Sequence, residues 1–422
     1  MKPRRHGAKR LPCHRASLIA LALAAAAVCL QAQTVGRPRI VVVGDIHGAY
    51  DNLTEILKRA DLIDDTGRWT GGNAILVQLG DIMDRGAGVR RVLDFFIATE
   101  ARARNAGGQV INLLGNHEVM NLLGETRDVT PEIFASFADA QSEARRETAY
   151  TAYEKLASAR VATRPKAAAT YRKTREEWMA AHPPGFVEYR EALSTRGEYG
   201  RWLRSRPIVV MIGDTIFMHA GVNPDQGPNK LDDLNTRVRD ELKRYDASFQ
   251  RLIDRKVALP FFTLQEVLDL ASAEIEAANA VIAAARNEGK EPDLSAFDAT
   301  VLQDVQQIVQ MGSWSALAPD GPMWFRGYAY WDSNTSNAEK IDRLFAKYRA
   351  AHIVVGHTPL KSGTVTPRFG GRVYLIDTGM LNSYYEGGQG SALEIDSGQF
   401  VAIYKDKKVA LGGAAGPGGQ QE

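Results

Sequence analysis

Short apolar runs alternate with helical patterns in the first third of this 422-residue chain. Three runs rich in β-branched residues predict buried strands, at 39–43, 74–79 and 109–114. The first is followed by apolar residues at i, i+3, i+4 and i+7, namely Leu53, Ile56, Leu57 and Ala60, which predict a helix. A second helix is predicted at about 89–104. Strand, polar loop and helix in repetition indicate parallel βαβ units and an α/β fold.

The pattern changes after residue 129. Two segments, about 129–199 and 230–312, are rich in Ala, Glu, Arg and Lys and predict helical insertions. Between them, 208–212 and 215–218 predict a hairpin that turns at Gly213-Asp214. Later strands are predicted at 352–355, 373–376, 392–395 and 401–404. The stretch 34–410 is therefore expected to form one α/β domain with these insertions, followed by a disordered glycine-rich tail at 411–422.

Residues 1–33 predict an export signal. They carry six basic residues and no acidic one, and the uncharged apolar run 16–30 is too short to span a bilayer comfortably. A periplasmic or secreted protein is expected. Contact with a membrane would follow only if this segment stayed uncleaved or were lipidated at Cys29. Cys13 and Cys29 are the two cysteines of the chain, so the body is expected to use neither disulfides nor thiol chemistry.

Composition narrows the class of protein. With 45% hydrophobic and 24% charged residues, a wholly disordered or fibrous chain is excluded. Without the six leader bases, 46 basic residues face 50 acidic ones, and the body has a net charge of −4. That balance predicts no general affinity for nucleic acid. The sequence gives no indication of oligomeric state.

Polar clusters follow five of the predicted strands, where ligands gather in parallel sheets. Their candidate metal-binding side chains are Asp45 and His47, Asp81, Asn116 and His117, His219, and His357. Carboxylate, amide and imidazole ligands together suit Mn, Fe or Zn. These candidate side chains outnumber the ligands of a single tetrahedral metal ion, which indicates two metal ions that share a carboxylate.

The ordered motifs resemble those of a known family. They are Gly-Asp-x-His-Gly at 44–48, Gly-Asp-x-x-Asp-Arg-Gly at 80–86, Gly-Asn-His-Glu at 115–118, His-Ala-Gly at 219–221 and Gly-His-Thr-Pro at 356–359. Together they resemble the calcineurin-like metallophosphoesterases, and within these the phosphoprotein phosphatases. Residues 114–123 and Trp324-Phe325-Arg326 are most similar to the Shewanella-like, bacterial-type protein phosphatases. The resemblance implies a four-layer αββα sandwich with helical insertions.

The resemblance also implies the ligands of two metal ions. Asp45, His47 and Asp81 would hold one ion, and Asp81 would bridge to a second ion held with Asn116, His219 and His357. Two such cations can share a hydroxide for in-line attack on phosphorus. Ala220 replaces the glycine found at this position in many protein phosphatases, which adds one methyl group beside the site.

Four further roles follow from the resemblance. His117 would be the general acid and Asp84 would orient it. Arg85 and Arg326 would bind phosphate oxygens, with Asn116 also contacting the substrate.

The expected function is an exported phosphomonoesterase acting on a phosphorylated protein, on serine, threonine or tyrosine phosphate. One alternative is a small-molecule phosphatase or nucleotidase, such as a diadenosine-tetraphosphatase-like enzyme; Arg85 and Glu118 favour the protein phosphatase. A second is a catalytically silent binding module, against which His117 and Asp84 argue. We expect His182, beside Pro183-Pro184, to be an exposed loop residue rather than a ligand.

Overall fold

The computed structural model describes residues 38–163 and 173–412. The predicted leader at 1–33 and most of the predicted tail at 411–422 lie outside these residues. The strands are β1 Ile40–Val43, β2 Ile75–Gln78, β3 Gln109–Asn112, β4 Val209–Ile212, β5 Thr215–Met218, β6 His352–Val355, β7 Thr366–Arg368, β8 Val373–Leu375, β9 Ser391–Asp396, β10 Gln399–Tyr404 and β11 Lys408–Ala410.

The strands form two sheets. The first has the order β11-β10-β9-β1-β2-β3, and the second has the order β4-β5-β6-β8-β7. Within the first sheet β1, β2 and β3 run parallel, and within the second β5, β6 and β8 run parallel. The βαβ prediction is therefore confirmed, and so is the hairpin, since β4 pairs antiparallel with β5.

Helices connect the strands and account for both predicted insertions. They are α1 Tyr50–Arg59, α2 Val89–Asn105, α3 Asn116–Leu123, α4 Pro131–Phe137, α5 Ser142–Thr163, α6 Arg175–Ala181, α7 Phe186–Ala192, α8 Glu198–Arg204, α9 Asp232–Asp254, α10 Leu264–Asn287, α11 Ala299–Val309, α12 Gly327–Tyr330 and α13 Thr335–Tyr348, with a 3₁₀ turn at Gln310–Ser313. In the described ranges, no helix is both long enough and apolar enough to cross a bilayer.

The core shows why the sheets stack. Alternate residues of a strand point to opposite faces, so Val42 and Val77 of the first sheet pack with Phe217 and Val354 of the second. The opposite face of the first sheet packs on α1 and α2, through Val41 and Val43 against helical residues such as Leu53 and Phe96. The outer face of the second sheet likewise packs against α13. The layers are helix, sheet, sheet, helix, as the resemblance implied.

Some local features differ from expectation. The short edge strands β7 and β11 and the helix α13 were not predicted, and three-residue strands leave too little pattern to detect. His182 is 1% exposed, so its prediction as an exposed loop residue was wrong. Its ring stacks on Trp178 at 4.1 Å between centroids, because the two residues are four apart at the end of α6.

Candidate active site

Six polar segments meet at the carboxyl ends of β1, β2, β3, β5, β6 and β8. The predicted ligands and the predicted acid pair lie in these segments and are at most 4% exposed: Asp45, His47, Asp81, Asp84, Asn116, His117, His219 and His357. Four of them, His47, Asp81, Asp84 and His357, adopt the left-handed backbone region that non-glycine residues avoid, as does the neighbouring Arg85. Backbone outliers of this kind concentrate at functional sites.

Asp81 lies at the centre of the cluster. Its Oδ2 atom is 3.4 Å from Nε2 of His219, 3.6 Å from Nε2 of His47 and 3.8 Å from Nε2 of His117. Two triads of potential ligand atoms therefore share this carboxylate, one formed with His47 and His117 and the other with His219 and His357. A shared carboxylate is the arrangement expected for a bridging ligand.

Three atoms with lone pairs, from His219, Asn116 and His357, lie close together. Nε2 of His219 is 2.9 Å from Oδ1 of Asn116 and 3.1 Å from Nδ1 of His357. The Nδ2 group of Asn116 faces the sulfur of Met120 instead, so its oxygen is the atom presented to the cluster. Acceptor atoms this close together repel one another unless a cation or a proton lies between them.

The outer nitrogen of each proposed ligand histidine contacts a main-chain carbonyl. Nδ1 of His47 donates to the oxygen of Met83 at 2.7 Å, and Nδ1 of His219 donates to the oxygen of Leu79 at 3.1 Å. In His357 the assignment is reversed, because Nε2 donates to the oxygen of Trp324 at 3.3 Å. These bonds leave the inward nitrogen of each ring unprotonated, which is the form that binds a metal.

Asp45 lies beside a carboxylate that the sequence analysis missed. Its two oxygens accept from the main-chain N–H of His357 at 3.0 and 3.1 Å, and its side chain also contacts that of Asp377. Asp377 is 1% exposed, and its Oδ2 has no hydrogen-bond partner within the described part of the chain. The sequence contained a signal for Asp377: it directly follows the strand predicted at 373–376, just as the proposed metal ligands follow their strands.

The glycines of two motifs permit close approach of these carboxylates. A Cβ atom on Gly115 would overlap Oδ1 of Asp81, and a Cβ atom on Gly356 would overlap Oδ1 of Asp45. The motif glycines at these positions are therefore a steric requirement of the cluster.

Glu118 holds the loop that carries Asp81. It is fully buried, and its carboxylate accepts from the main-chain N–H groups of Asp81 at 2.7 Å, Ile82 at 2.8 Å and Met83 at 3.0 Å, and of Gly115 at 2.7 Å. Four bonds to one carboxylate fix a loop whose backbone is otherwise unfavourable at Asp81.

His117 differs from the other histidines in its outer partner. Nδ1 of His117 is 2.6 Å from Oδ2 of Asp84, and the other oxygen of Asp84 accepts from Nδ2 of Asn121 at 2.9 Å. Asp128 lies further away, at 3.9 Å from the same Nδ1. A histidine oriented by a buried carboxylate, with Nε2 facing the cluster, has the arrangement of a general acid.

Arg85 borders both halves of the site. Its Nη1 atom is 2.6 Å from Nε2 of His47, and its Nη2 atom is 3.0 Å from Nε2 of His117. Nη1 also donates to the hydroxyl of Tyr385, while the ring of Tyr384 lies 5.2 Å from the guanidinium carbon. The two tyrosines belong to a loop without a periodic pattern, which is why the sequence analysis missed them.

Arg326 is near the cluster but its contacts are with the protein. Nη1 donates to the main-chain oxygen of His357 at 3.0 Å and to Oγ1 of Thr358 at 3.1 Å. It therefore secures the turn after β6, and its predicted role as a phosphate ligand stays a prediction.

Burial shifts the protonation equilibria of the cluster. Burial, together with the charge of Glu118, raises the pKa of Asp81 to about 7 despite opposing contacts with His117. Burial and the nearby charge of Arg326 lower the pKa of His357 to about 3, and burial lowers the pKa of His219 well below its ordinary value. For His117, burial is outweighed by the charges of Asp81 and Asp84, so its pKa is raised.

The chemistry of these donors fits metal ions. Crowded carboxylates and neutral imidazoles, with their outer hydrogen bonds already made, are stabilised by cations placed among them. Together with the two-sheet fold, this donor set defines a metal-dependent phosphoesterase.

Comparison with known proteins assigns the family. The chain belongs to the calcineurin-like phosphoesterases, whose family profile matches residues 38–255, more than half of its length. It is a phosphatase of that family and has Shewanella-like protein phosphatases among its relatives, as its motifs indicated.

Two curated relatives carry that name. Shewanella-like protein phosphatase 2 of Arabidopsis thaliana is 30% identical over 212 residues, 48% of this chain and 51% of that protein. The match therefore spans about half the length of the plant relative. Shewanella-like protein phosphatase 1 of Plasmodium berghei is 24% identical over 379 residues, 86% of this chain and 74% of that protein.

A solved structure supports the fold. The cold-active protein-tyrosine phosphatase of a psychrophilic Shewanella species is 23% identical, with a TM-score of 0.50, and the match covers 89% of this chain and 81% of that one.

Proposed function

We propose that this protein is an exported protein phosphatase that hydrolyses phosphomonoesters with two metal ions. The observation that carries the proposal is the position of Asp81, whose Oδ2 lies 3.6 Å from Nε2 of His47 on one side and 3.4 Å from Nε2 of His219 on the other, with the His117–Asp84 pair nearby. In that arrangement His117 would be a proton donor next to the proposed metal ions.

The residues that would hold the metal ions are those implied by the motifs. Asp45, His47 and Asp81 would bind one ion, and Asp81, Asn116, His219 and His357 would bind the other; Mn, Fe and Zn all suit these donors. When bound, the ions supply Lewis-acid activation of water and neutralise charge on the phosphate oxygens.

His117 would deliver the proton that the leaving oxygen requires. Its Nδ1 is held by Asp84 at 2.6 Å, so its Nε2 is directed towards the cluster and can carry a proton to the departing alkoxide or phenoxide. Asn121 fixes Asp84 in turn, through a 2.9 Å bond to its second oxygen. Asp84 is thus a positioning residue for the acid.

Arg85 would bind the phosphate through its planar guanidinium. The group already lies within 3.0 Å of Nε2 of both His47 and His117, so a phosphate entering between them would meet its N–H donors. Tyr385, which accepts from Arg85, would keep the guanidinium in place.

A phosphorylated protein is the preferred substrate because of the relatives. Two of them are named protein phosphatases, and this chain matches one over 86% of its own length. Arg85 and Glu118 agree with the motif pattern of that branch. Export is proposed from the leader-like residues 1–33 alone.

A substrate panel tests the function. Purified, manganese-supplemented full-length protein is assayed with phosphoserine, phosphothreonine and phosphotyrosine peptides, diadenosine tetraphosphate, nucleotides and sugar phosphates, with His117→Asn as the inactive control. We expect the highest kcat/KM on a phosphopeptide. A preference for a dinucleotide or nucleotide would support the small-molecule alternative, and no turnover of any substrate would support the silent module.

Export is tested separately. Expression of the full chain in a Gram-negative host, followed by fractionation and amino-terminal sequencing, should yield a processed protein outside the cytoplasm. An unprocessed cytoplasmic protein would contradict export and leave the phosphatase proposal untouched.

A further inference from the structure

The helical insertions border a partly open cavity that is separate from the proposed metal-binding cluster. It has a volume of about 650 Å³ and lies between α7, α9 and the segment before α10. Much of its lining is apolar, including Phe249, Ile253, Leu259 and Phe261. The volume falls within the range of small-molecule sites, which are concave, mostly apolar and fitted with a few polar groups.

Arg190, on α7, is the buried cation that borders this cavity. It is 6% exposed, and its two terminal nitrogens donate to main-chain oxygens, those of Asn121 and Phe262, both at 3.2 Å. Its Nε is buried without a hydrogen-bond partner among the described residues. Within those residues, no carboxylate lies within ion-pair distance of Arg190, whereas the nearby Arg204 has Asp246 at 2.8 Å.

A buried guanidinium without an acidic partner is unusual. Removing a charge from water is costly unless an opposite charge or a full set of hydrogen bonds compensates it. Two long bonds to carbonyls and one unsatisfied donor do not complete the set of five N–H donors. The uncompensated charge of Arg190 favours an anion beside it, and the adjoining apolar space favours a hydrocarbon body.

We propose that this cavity binds an amphiphilic anion, with a carboxylate head group on Arg190 and an apolar body along α9. A medium-chain fatty acid is the simplest ligand of this class. The head group would accept from the second N–H of a terminal guanidinium nitrogen of Arg190, and Phe249, Ile253 and Leu259 would cover the chain. This site differs from the phosphate site in place and in chemistry, since much of its wall is apolar. Arg190 is the buried charge of the lining; Arg204 and Asp246, which also line the cavity, pair with each other at 2.8 Å, and Glu191 and Arg196 are exposed.

The position of Arg190 connects the cavity to the catalytic pair. Arg190 donates to the main-chain oxygen of Asn121, whose side chain donates to Asp84 at 2.9 Å. One residue therefore contacts both the arginine and the carboxylate that orients His117.

Binding is measured with sodium dodecanoate below its micelle concentration, and dodecan-1-ol serves as the uncharged matched ligand. Isothermal titration calorimetry on the full-length, metal-loaded protein should show one saturable site for dodecanoate and much weaker binding of the alcohol. In Arg190→Gln, which keeps hydrogen-bonding capacity but loses the charge, dodecanoate should bind about tenfold to hundredfold more weakly. Arg190→Lys should recover part of the affinity.

A cavity-filling variant provides the second test. Leu259→Trp places a large side chain in the cavity and should abolish binding. Leu268→Trp is the matched control, because Leu268 is also a half-buried leucine packed on the core but does not line the cavity. Circular dichroism and metal content verify that each variant folds.

Two results would overturn the proposal. The first is the absence of saturable dodecanoate binding, which would mean that the main-chain contacts of Arg190 suffice to hold its charge in the fold. The second is binding that is equal in the wild type, Arg190→Gln and Leu259→Trp, which would place the ligand elsewhere.

Discussion

Replacing His117 with asparagine removes the proposed proton donor and leaves the proposed metal ligands in place. The ring nitrogen Nε2 and the 2.6 Å contact of Nδ1 with Asp84 are lost. The main-chain N–H of residue 117, which donates to Oδ1 of Asp81 at 3.1 Å, is retained. The substitution should therefore affect chemistry much more than metal binding.

The size of the effect should depend on the leaving group. General acid catalysis by a positioned side chain contributes roughly 10²- to 10⁴-fold, or about 3–5 kcal/mol of activation free energy. A phosphoserine peptide, whose alkoxide is a poor leaving group, should lose that whole factor in His117→Asn. The nitrophenolate of p-nitrophenyl phosphate leaves without a proton, so its hydrolysis should fall much less.

The assay compares kcat/KM for the two substrates in wild type and variant, with metal content measured on the same samples. His352→Asn is the matched control, because His352 is a partly buried histidine at the start of β6, away from the cluster. It should leave both rates nearly unchanged. Equal losses on both substrates, or loss of the metal ions from His117→Asn, would refute the role of His117 as a non-ligating acid.

Two further substitutions test other parts of the structure. Arg85→Gln should raise the inhibition constant of free phosphate by about tenfold, since a charge-assisted bond is lost, and unchanged inhibition would contradict its role as a phosphate ligand. Burial alone would raise the pKa of Glu266, but contacts with His182 and Lys173 lower it to about 2. Ionised Glu266 should therefore stabilise the fold by about 3 kcal/mol above pH 4.5. This contribution should shrink as the pH falls towards 2 and the carboxylate is protonated. Urea unfolding of Glu266→Gln should show that deficit at pH 7 and a much smaller one near pH 2.5. An equal deficit at both pH values would contradict the pKa shift.

The elements and side chains that the sequence predicted correctly are those specified locally. Each of β1, β2 and β3 is an apolar run followed within a few residues by the polar group it positions, so Asp45, Asp81 and Asn116 were identifiable from adjacent residues. The meeting of these strand ends also follows from parallel strands sharing one edge of a sheet. The roles of His117 and Asp84 came from the resemblance, and their 2.6 Å contact joins two different loops.

Residues that depend on distant contacts were missed or misjudged. Tyr385 reaches Arg85 across 300 positions, and Arg190 meets Asn121 across 69, and no local pattern encodes either approach. His182 was misjudged for a different reason: Pro183-Pro184 indicates a loop, whereas the ring stacks on Trp178, only four residues earlier, and is buried. Asp377 is the exception. It directly follows an apolar run, and the criterion that identified the proposed ligands, a polar residue at the end of a predicted strand, would have identified it as well.

The metal content of the purified protein is the most direct test of the central claim. Inductively coupled plasma mass spectrometry on the manganese-supplemented wild type should find two transition-metal ions per chain. In Asp81→Asn, both ions should be lost at similar chelator concentrations, because Asp81 belongs to both proposed ligand sets and its Oδ2 lies within 3.6 Å of both His47 and His219. Asp128→Asn, which alters a carboxylate 3.9 Å from Nδ1 of His117 but outside the proposed ligands, should retain both ions. A wild type that holds fewer than two ions, or an Asp81→Asn variant that loses one ion and keeps the other, would contradict the shared-carboxylate centre.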